Sequence, residues 1–154
     1  MAIVYNIFMK IIFLDIDGVL NSSSGQGPYI SDMEIEKLGL LKDVIKQTNS
    51  GVVITSDRRY SNIDMKNKLE AFSMYQIPVL GYLRLPNDDD NDNRGKQILD
   101  YLSSSNEEIE AMVILDDNDD GIKELFMDNF ILLNRFYGLT KDICLKIKEI
   151  LATV

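Results

Sequence analysis

The chain contains no histidine at all among its 154 residues. That absence excludes Ser-His-Asp and Cys-His catalysis, histidine-ligated zinc and phosphohistidine chemistry together. Cysteine is almost as scarce. The lone Cys144 cannot close an internal disulfide and fits a reducing compartment, and the position six residues on is Ile150 rather than the arginine that a cysteine-based phosphatase loop requires. No G-x-x-x-x-G-K-[ST] string occurs, so a P-loop is excluded. Basic residues are outnumbered, 16 Lys and Arg against 25 Asp and Glu, for a net charge of −9. A general nucleic-acid binder normally carries a basic footprint, so this balance does not support a nucleic-acid partner, although a local basic groove stays open. The apolar N-terminus is interrupted by Asn6 and Lys10 and lacks a basic start. It reads as neither a secretory signal nor a membrane span, and the expected location is cytoplasmic, with no membrane partner.

At this length one domain with a real core is expected over residues 1–154, and 45% hydrophobic content fits a globular chain. Met1 and Met9 both suit as initiator, which makes residues 1–8 a candidate extension of the first strand. Aspartate exceeds glutamate 17 to 8, an excess that points to loops, turns and metal rather than to helix surfaces. Apolar runs at 7–15, 52–56, 78–85, 111–117 and 129–133 read as strands. Helical patterns fill the gaps, at 31–48, 61–75, 94–104, about 119–127 and from Thr140 onward. Ser31 and Glu34 form a capping-box string for the first helix, whose stripe is Leu38, Leu41, Val44 and Ile45. Asn93 suits the cap of the third helix, after an acidic loop at 87–93. Alternating strands and helices with near-continuous apolar strands predict an α/β, Rossmann-like three-layer domain on a mostly parallel five-stranded sheet.

In such sheets ligands gather beyond the carboxyl ends of the strands. Those ends carry Asp15 and Asp17; Thr55 and Ser56, with Arg58 just after; and Asp116 and Asp117. Arg94 and Lys96 stand at the start of the third helix. Each group alone has an ordinary reading as a turn, a helix cap or a solvated helix end. Together they place two carboxylate clusters, a hydroxyl and a lysine around one crevice. Asp15 and Asp17, two apart on extended chain, can address the same site. A divalent cation would relieve their repulsion, and an all-oxygen donor set without His or Cys suits Mg²⁺, with Asp116 and Asp117 completing it. Lys96 offers a point charge for a phosphoryl group, and Thr55 a hydroxyl for another of its oxygens. Because residues two apart on a helix face different ways, Lys96 rather than Arg94 is expected to reach the site.

With these residues the sequence resembles the haloacid dehalogenase-like (HAD) phosphohydrolase superfamily. FLDIDGVL stands as motif I, VITSD as motif II, RGK as motif III and VILDDNDD as motif IV, in order and over nearly the whole chain. DGVLN together with TSDR is similar to the HAD domains attached to some RNA-repair proteins. The resemblance implies an aspartyl-phosphate on Asp15, with Asp17 protonating the leaving group and then activating water. It also implies phosphoryl contacts from Thr55 and Lys96, with Ser56 and Arg58 added as substrate-binding candidates. Mg²⁺ would be held by Asp15, Asp116, Asp117 and the Asp17 carbonyl. Motif IV is an Asp-Asp pair rather than a Gly-Asp form, and Asp119 and Asp120 add charge beside it.

Two other classes compete with this reading. A slow HAD-like domain that binds metal or a phosphorylated partner keeps the same residues. A receiver-type phosphoacceptor would need an aspartate after the third strand, where the sequence reads LRLP, so that class fails. The stretches between motifs I and II and between II and III are too short for a cap, which leaves NSSSGQGPYI as a Gly/Ser flap. An uncapped site suits an exposed phosphate on a macromolecule, a nucleic-acid end or a phosphoprotein, or a loosely selected small ester.

Overall fold

Runs of Val, Ile, Leu and Phe with few polar interruptions form the strands of the main sheet: β1 (Phe8–Leu14), β4 (Gly51–Ile54), β5 (Val79–Tyr82), β6 (Glu108–Asp116) and β7 (Phe130–Leu132). The computed structural model describes residues 8–85 and 93–152. Strand order is β5-β4-β1-β6-β7, and all four neighbouring pairs are parallel. A separate two-stranded antiparallel sheet is made by β2 (Tyr29–Ile30) and β3 (Met33–Glu34).

The period-2 alternation of strands sorts side chains to two faces. Ile12, Leu14, Val52, Ile54, Val113 and Leu115 join one core, which α1 (Ile35–Thr48), α2 (Asn62–Met74) and α5 (Lys141–Leu151) cover. Ile11, Phe13, Val53 and Ile114 join the other, under α3 (Arg94–Ser104) and α4 (Ile122–Phe126). Helix, sheet, helix: the predicted three layers are present. In α1 the expected stripe of Leu38, Leu41, Val44 and Ile45 is buried. Three helices start on side-chain caps, Ser61 on α2, Asn93 on α3 and Thr140 on α5, each accepting a backbone N–H from the first turn.

Two local readings are corrected. Ser31 and Glu34 do not form a capping box: Ser31 and Asp32 both take positive φ, as the two turn residues of the β2–β3 hairpin, and α1 begins only at Ile35. Glu34 caps nothing with its side chain, because its buried carboxylate accepts from the Ser22 hydroxyl and lies 3.6 Å from Lys37 Nζ. The helix expected at 119–127 is only five residues long, since Asp120 and Gly121 adopt left-handed backbone before it. A 3-10 turn at Asp57–Tyr60, with Ser56 as its cap, precedes α2.

No cap domain is present among the described residues. Between Asp17 and Thr55 the described chain makes only the small hairpin, α1 and β4, and between Thr55 and Lys96 the 3-10 turn, α2, β5 and the start of α3. The expected extension at the N-terminus falls on residues outside the described ones, as does the acidic loop apart from Asn93.

Candidate active site

The site is built by strand register. Leu14 lies opposite Ile54 on one side and Leu115 on the other, so the three central strands end level. The ladder then runs one step further: Asp15 N–H donates to the Leu115 carbonyl (3.1 Å), and Thr55 N–H donates to the Leu14 carbonyl (2.9 Å). Asp15, Thr55 and Asp116 are thereby held at one edge by backbone alone.

Carboxylate oxygens of Asp15, Asp116 and Asp117 all lie within 4.8 Å of one another. Asp15 and Asp116 are buried. Removal from water, followed by the repulsion of Asp116, pushes Asp15 up to about 8. Asp116 is also pushed up, chiefly by burial, while the Asn118 N–H at 3.0 Å opposes the shift. Such a cluster asks for positive charge. Arg94 is the nearby cation whose field lowers both groups.

Arg94, not Lys96, is the residue placed against the carboxylates. Its side chain is 11% exposed, with one guanidinium nitrogen 3.0 Å from Asp57 Oδ1, while Nη1 is buried with no hydrogen-bond partner among the described residues. Lys96 is exposed on α3, one residue past the buried Gly95. The helix phase explains the exchange: Asn93 is the cap, so Arg94 opens the first turn nearest the sheet edge, and Lys96 has rotated away. Gly95 makes this approach possible, because a Cβ there would meet the Gly121 carbonyl oxygen at 2.3 Å.

Thr55 is buried and its hydroxyl, like Arg94 Nη1, has no partner among the described residues. Buried polar atoms are nearly always satisfied in native structures, so two orphans near one carboxylate cluster mark a place for a ligand. Ser56 is different: its hydroxyl is used, accepting the Arg58 N–H at 3.2 Å. Arg59 is wholly structural. It donates to the carbonyls of Leu83, Thr55 and Ser56 and to Gln97, tying the loop after β4 to β5 and α3.

Asp17 does not join the three-carboxylate cluster. Its side chain is 54% exposed and paired with Arg58 through two nitrogens, at 2.9 and 3.1 Å. These bonds hold its carboxyl below the usual range, with a further contribution from Asn21. Asn21 ends the DGVLN string. It accepts the Gly18 N–H and donates to both Asp17 and the Asp32 carbonyl, so it fixes the turn that carries Asp17. Gly18, at φ +81°, is needed twice over: for its left-handed backbone and because a Cβ would sit 2.3 Å from Asp117 Oδ2. That oxygen also accepts from Arg135 Nε (3.1 Å) and Nη2 (2.9 Å). Arg135 lies in the turn after β7, and nothing in its local sequence marks it. Asp119 accepts the Lys123 N–H and Asp120 the Arg94 N–H, so both serve local structure at α4 and α3.

A parallel sheet with an aspartate at the end of its central strand, an acidic pair on the neighbouring strand and a hydroxyl on the other defines the HAD-like class. Residues 11–143 match the family model described as the HAD domain in Swiss Army Knife RNA repair proteins, and the chain belongs to that family. Among solved structures, a chain of the Pnkp1/Rnl/Hen1 RNA repair complex superposes with a TM-score of 0.50 at 19% identity, over 82% of this chain and 43% of that one. The shared feature at that identity is the fold, and this chain spans less than half of its counterpart's length. No curated protein matches the sequence.

Proposed function

We propose that the protein hydrolyses phosphate monoesters through an aspartyl-phosphate on Asp15, with Mg²⁺ bound by Asp15, Asp116 and Asp117. The observation that carries this reading is the buried three-carboxylate cluster set beside two orphaned donors, Thr55 Oγ1 and Arg94 Nη1. A hard divalent cation fits the donor set, which is all oxygen and sets three carboxylates against two arginines, Arg94 beside Asp15 and Asp116 and Arg135 on Asp117. Bound there, the ion would neutralise the carboxylates and the phosphoryl oxygens, and the Asp17 carbonyl is the further ligand that motif I supplies.

The chain's own residues then divide the work. The Asp15 carboxylate forms a bond to phosphorus as the ester P–O bond breaks, and Thr55 and Arg94 hold equatorial oxygens. The departing ester oxygen takes a proton from Asp17. In the second half-reaction Asp17 takes a proton from water as the water oxygen displaces Asp15 and releases phosphate. Pairing with Arg58 keeps Asp17 ionised in the free protein, the state required of the base. For the acid state Arg58 must be drawn off, and a substrate phosphate supplies an alternative partner for it. Lys96 and Ser56 are left with lesser parts than their positions in the sequence suggest.

An open rim and relatives described as domains of RNA repair proteins favour an exposed phosphate on a macromolecule over a small sequestered metabolite. The test is turnover of p-nitrophenyl phosphate with and without Mg²⁺. We expect metal-dependent release, abolished by chelation and reduced at least about a thousandfold by Asp15→Asn. Near-normal turnover in Asp15→Asn would overturn the assignment. Mg²⁺ binding without turnover would instead make the protein a metal- or phosphate-binding HAD-like domain.

A further inference from the structure

Beside the carboxylates lies a polar cleft of about 290 Å³ that runs from Asp17 and Asp117 to residues the chemistry above does not use, Ser22, Ser23 and Arg135. Asp17, Asp117, Asn21, Ser22, Ser23 and Arg135 line it. Both acids are already paired, Asp17 with Arg58 and Asp117 with Arg135. Arg135 bonds Asp117 through Nε and Nη2, both to one oxygen, so its Nη1 edge has no partner among the described residues. Its side chain is 72% exposed.

Arg135 is followed directly by two exposed aromatic residues, Phe136 (50%) and Tyr137 (58%). They are not loose. Asn134 holds the turn through its side chain and carbonyl, and the carbonyls of Arg135 and Phe136 accept the N–H groups of Ser23 and Ser24 at 2.9 and 3.1 Å. The rings pack edge to face, with centroids 5.0 Å apart. A cation next to stacking rings, anchored to the rim of a phosphate site, has the chemistry of single-strand recognition: a guanidinium fork for a phosphodiester and a π-face for a base.

Resting on the phosphatase reading, we infer that this cleft and turn select the phosphorylated end of a single-stranded nucleic acid. The hydroxyl- and amide-lined cleft takes the sugar that bears the terminal phosphate. The free edge of Arg135 takes the next phosphodiester, and the Phe136–Tyr137 pair takes a neighbouring base. A phosphopeptide offers neither the second phosphate nor the base, so it gains nothing from these groups.

The test compares kcat/KM for three substrates, p-nitrophenyl phosphate, a terminally phosphorylated single-stranded hexanucleotide and a phosphorylated hexapeptide. The proteins are the wild type, the ring-deleting variant F136L/Y137L and the ring-keeping variant F136Y/Y137F. Ring deletion should lower the hexanucleotide-to-p-nitrophenyl phosphate ratio about tenfold, chiefly through KM, and the ring-keeping variant should restore it. An unchanged ratio, or an equal fall for the hexapeptide, overturns the inference. A wild-type protein that turns over p-nitrophenyl phosphate but no hexanucleotide overturns it too, while leaving the phosphatase reading intact. Should the wild type turn over nothing, the phosphatase reading fails, and fluorescence anisotropy with the labelled hexanucleotide decides the rest. Weaker binding by F136L/Y137L then supports the platform, and equal binding rejects it.

Discussion

The four aspartates around the site fall into two regions with opposite electrostatics. The inner pair, Asp15 and Asp116, is buried, lacks a direct ion pair among the described residues and is pushed toward protonation. The outer two, Asp17 and Asp117, are each clamped by an arginine, Arg58 and Arg135, from loops that belong to different strands. One sequence feature, an acidic string after a strand, thus gives groups prepared for different tasks. The inner region stores unbalanced charge that a ligand must resolve. The outer region is already balanced and can exchange partners.

The sharpest way to break this comparison is to neutralise one member of the outer region. Asp17→Asn should slow hydrolysis of the phosphoenzyme about a thousandfold while allowing it to form from p-nitrophenyl phosphate, whose leaving group needs no proton. Acid-quench trapping with labelled substrate checks this, and an equal loss in both half-reactions would place Asp17 outside proton transfer. Next in size is the cation that serves the inner region. Arg94→Met should cost about a hundredfold in kcat/KM and Lys96→Met less than about threefold, in steady-state assays; the reverse order would return motif III to the lysine.

The smallest effect is on stability. Raised carboxyl pKa values mean that the folded state binds protons more tightly than the unfolded one, from the ordinary value of 3.8 up to about 8 for Asp15. Stability of the metal-free protein is therefore greatest on the acid side of that window and falls as pH rises through it. Between about pH 5 and 9 the melting temperature should drop by roughly 5 °C, and the slope should shrink in Asp15→Asn. A melting temperature that rises over this range would mean that the inner pair is not destabilised by its own charge.

The sheet was legible because burial on both faces writes unbroken apolar runs, and the carboxylates because a parallel sheet exposes whatever follows its strands. Asp15, Thr55, Asp116 and Asp117 needed nothing more than that. What sequence reading missed depended on local phase or on distant loops. Ser31–Glu34 spells both a capping box and a hairpin turn, and the choice is made by tertiary partners: Lys68 donates to Ser31, and Asn21 to the Asp32 carbonyl. Asn93 was legible as the cap, but which of Arg94 and Lys96 lies near the carboxylates depends on how that helix docks at the sheet edge. Arg135 stands 18 residues from Asp117 on another loop, and only the folded chain brings the two together.

The β2–β3 hairpin has a kinetic consequence. A Gly/Ser stretch at the mouth of a site suggests a gate, but this one is moored at both sides of its turn. Lys68, fully buried, grips Ser31 from α2, while the Glu34 N–H bonds the Leu20 carbonyl and the Ile35 N–H that of Pro28. It is a kerb rather than a door. On the phosphatase reading, substrate would arrive and phosphate depart past a fixed edge here, so the hairpin adds no opening step of its own between solvent and Asp15.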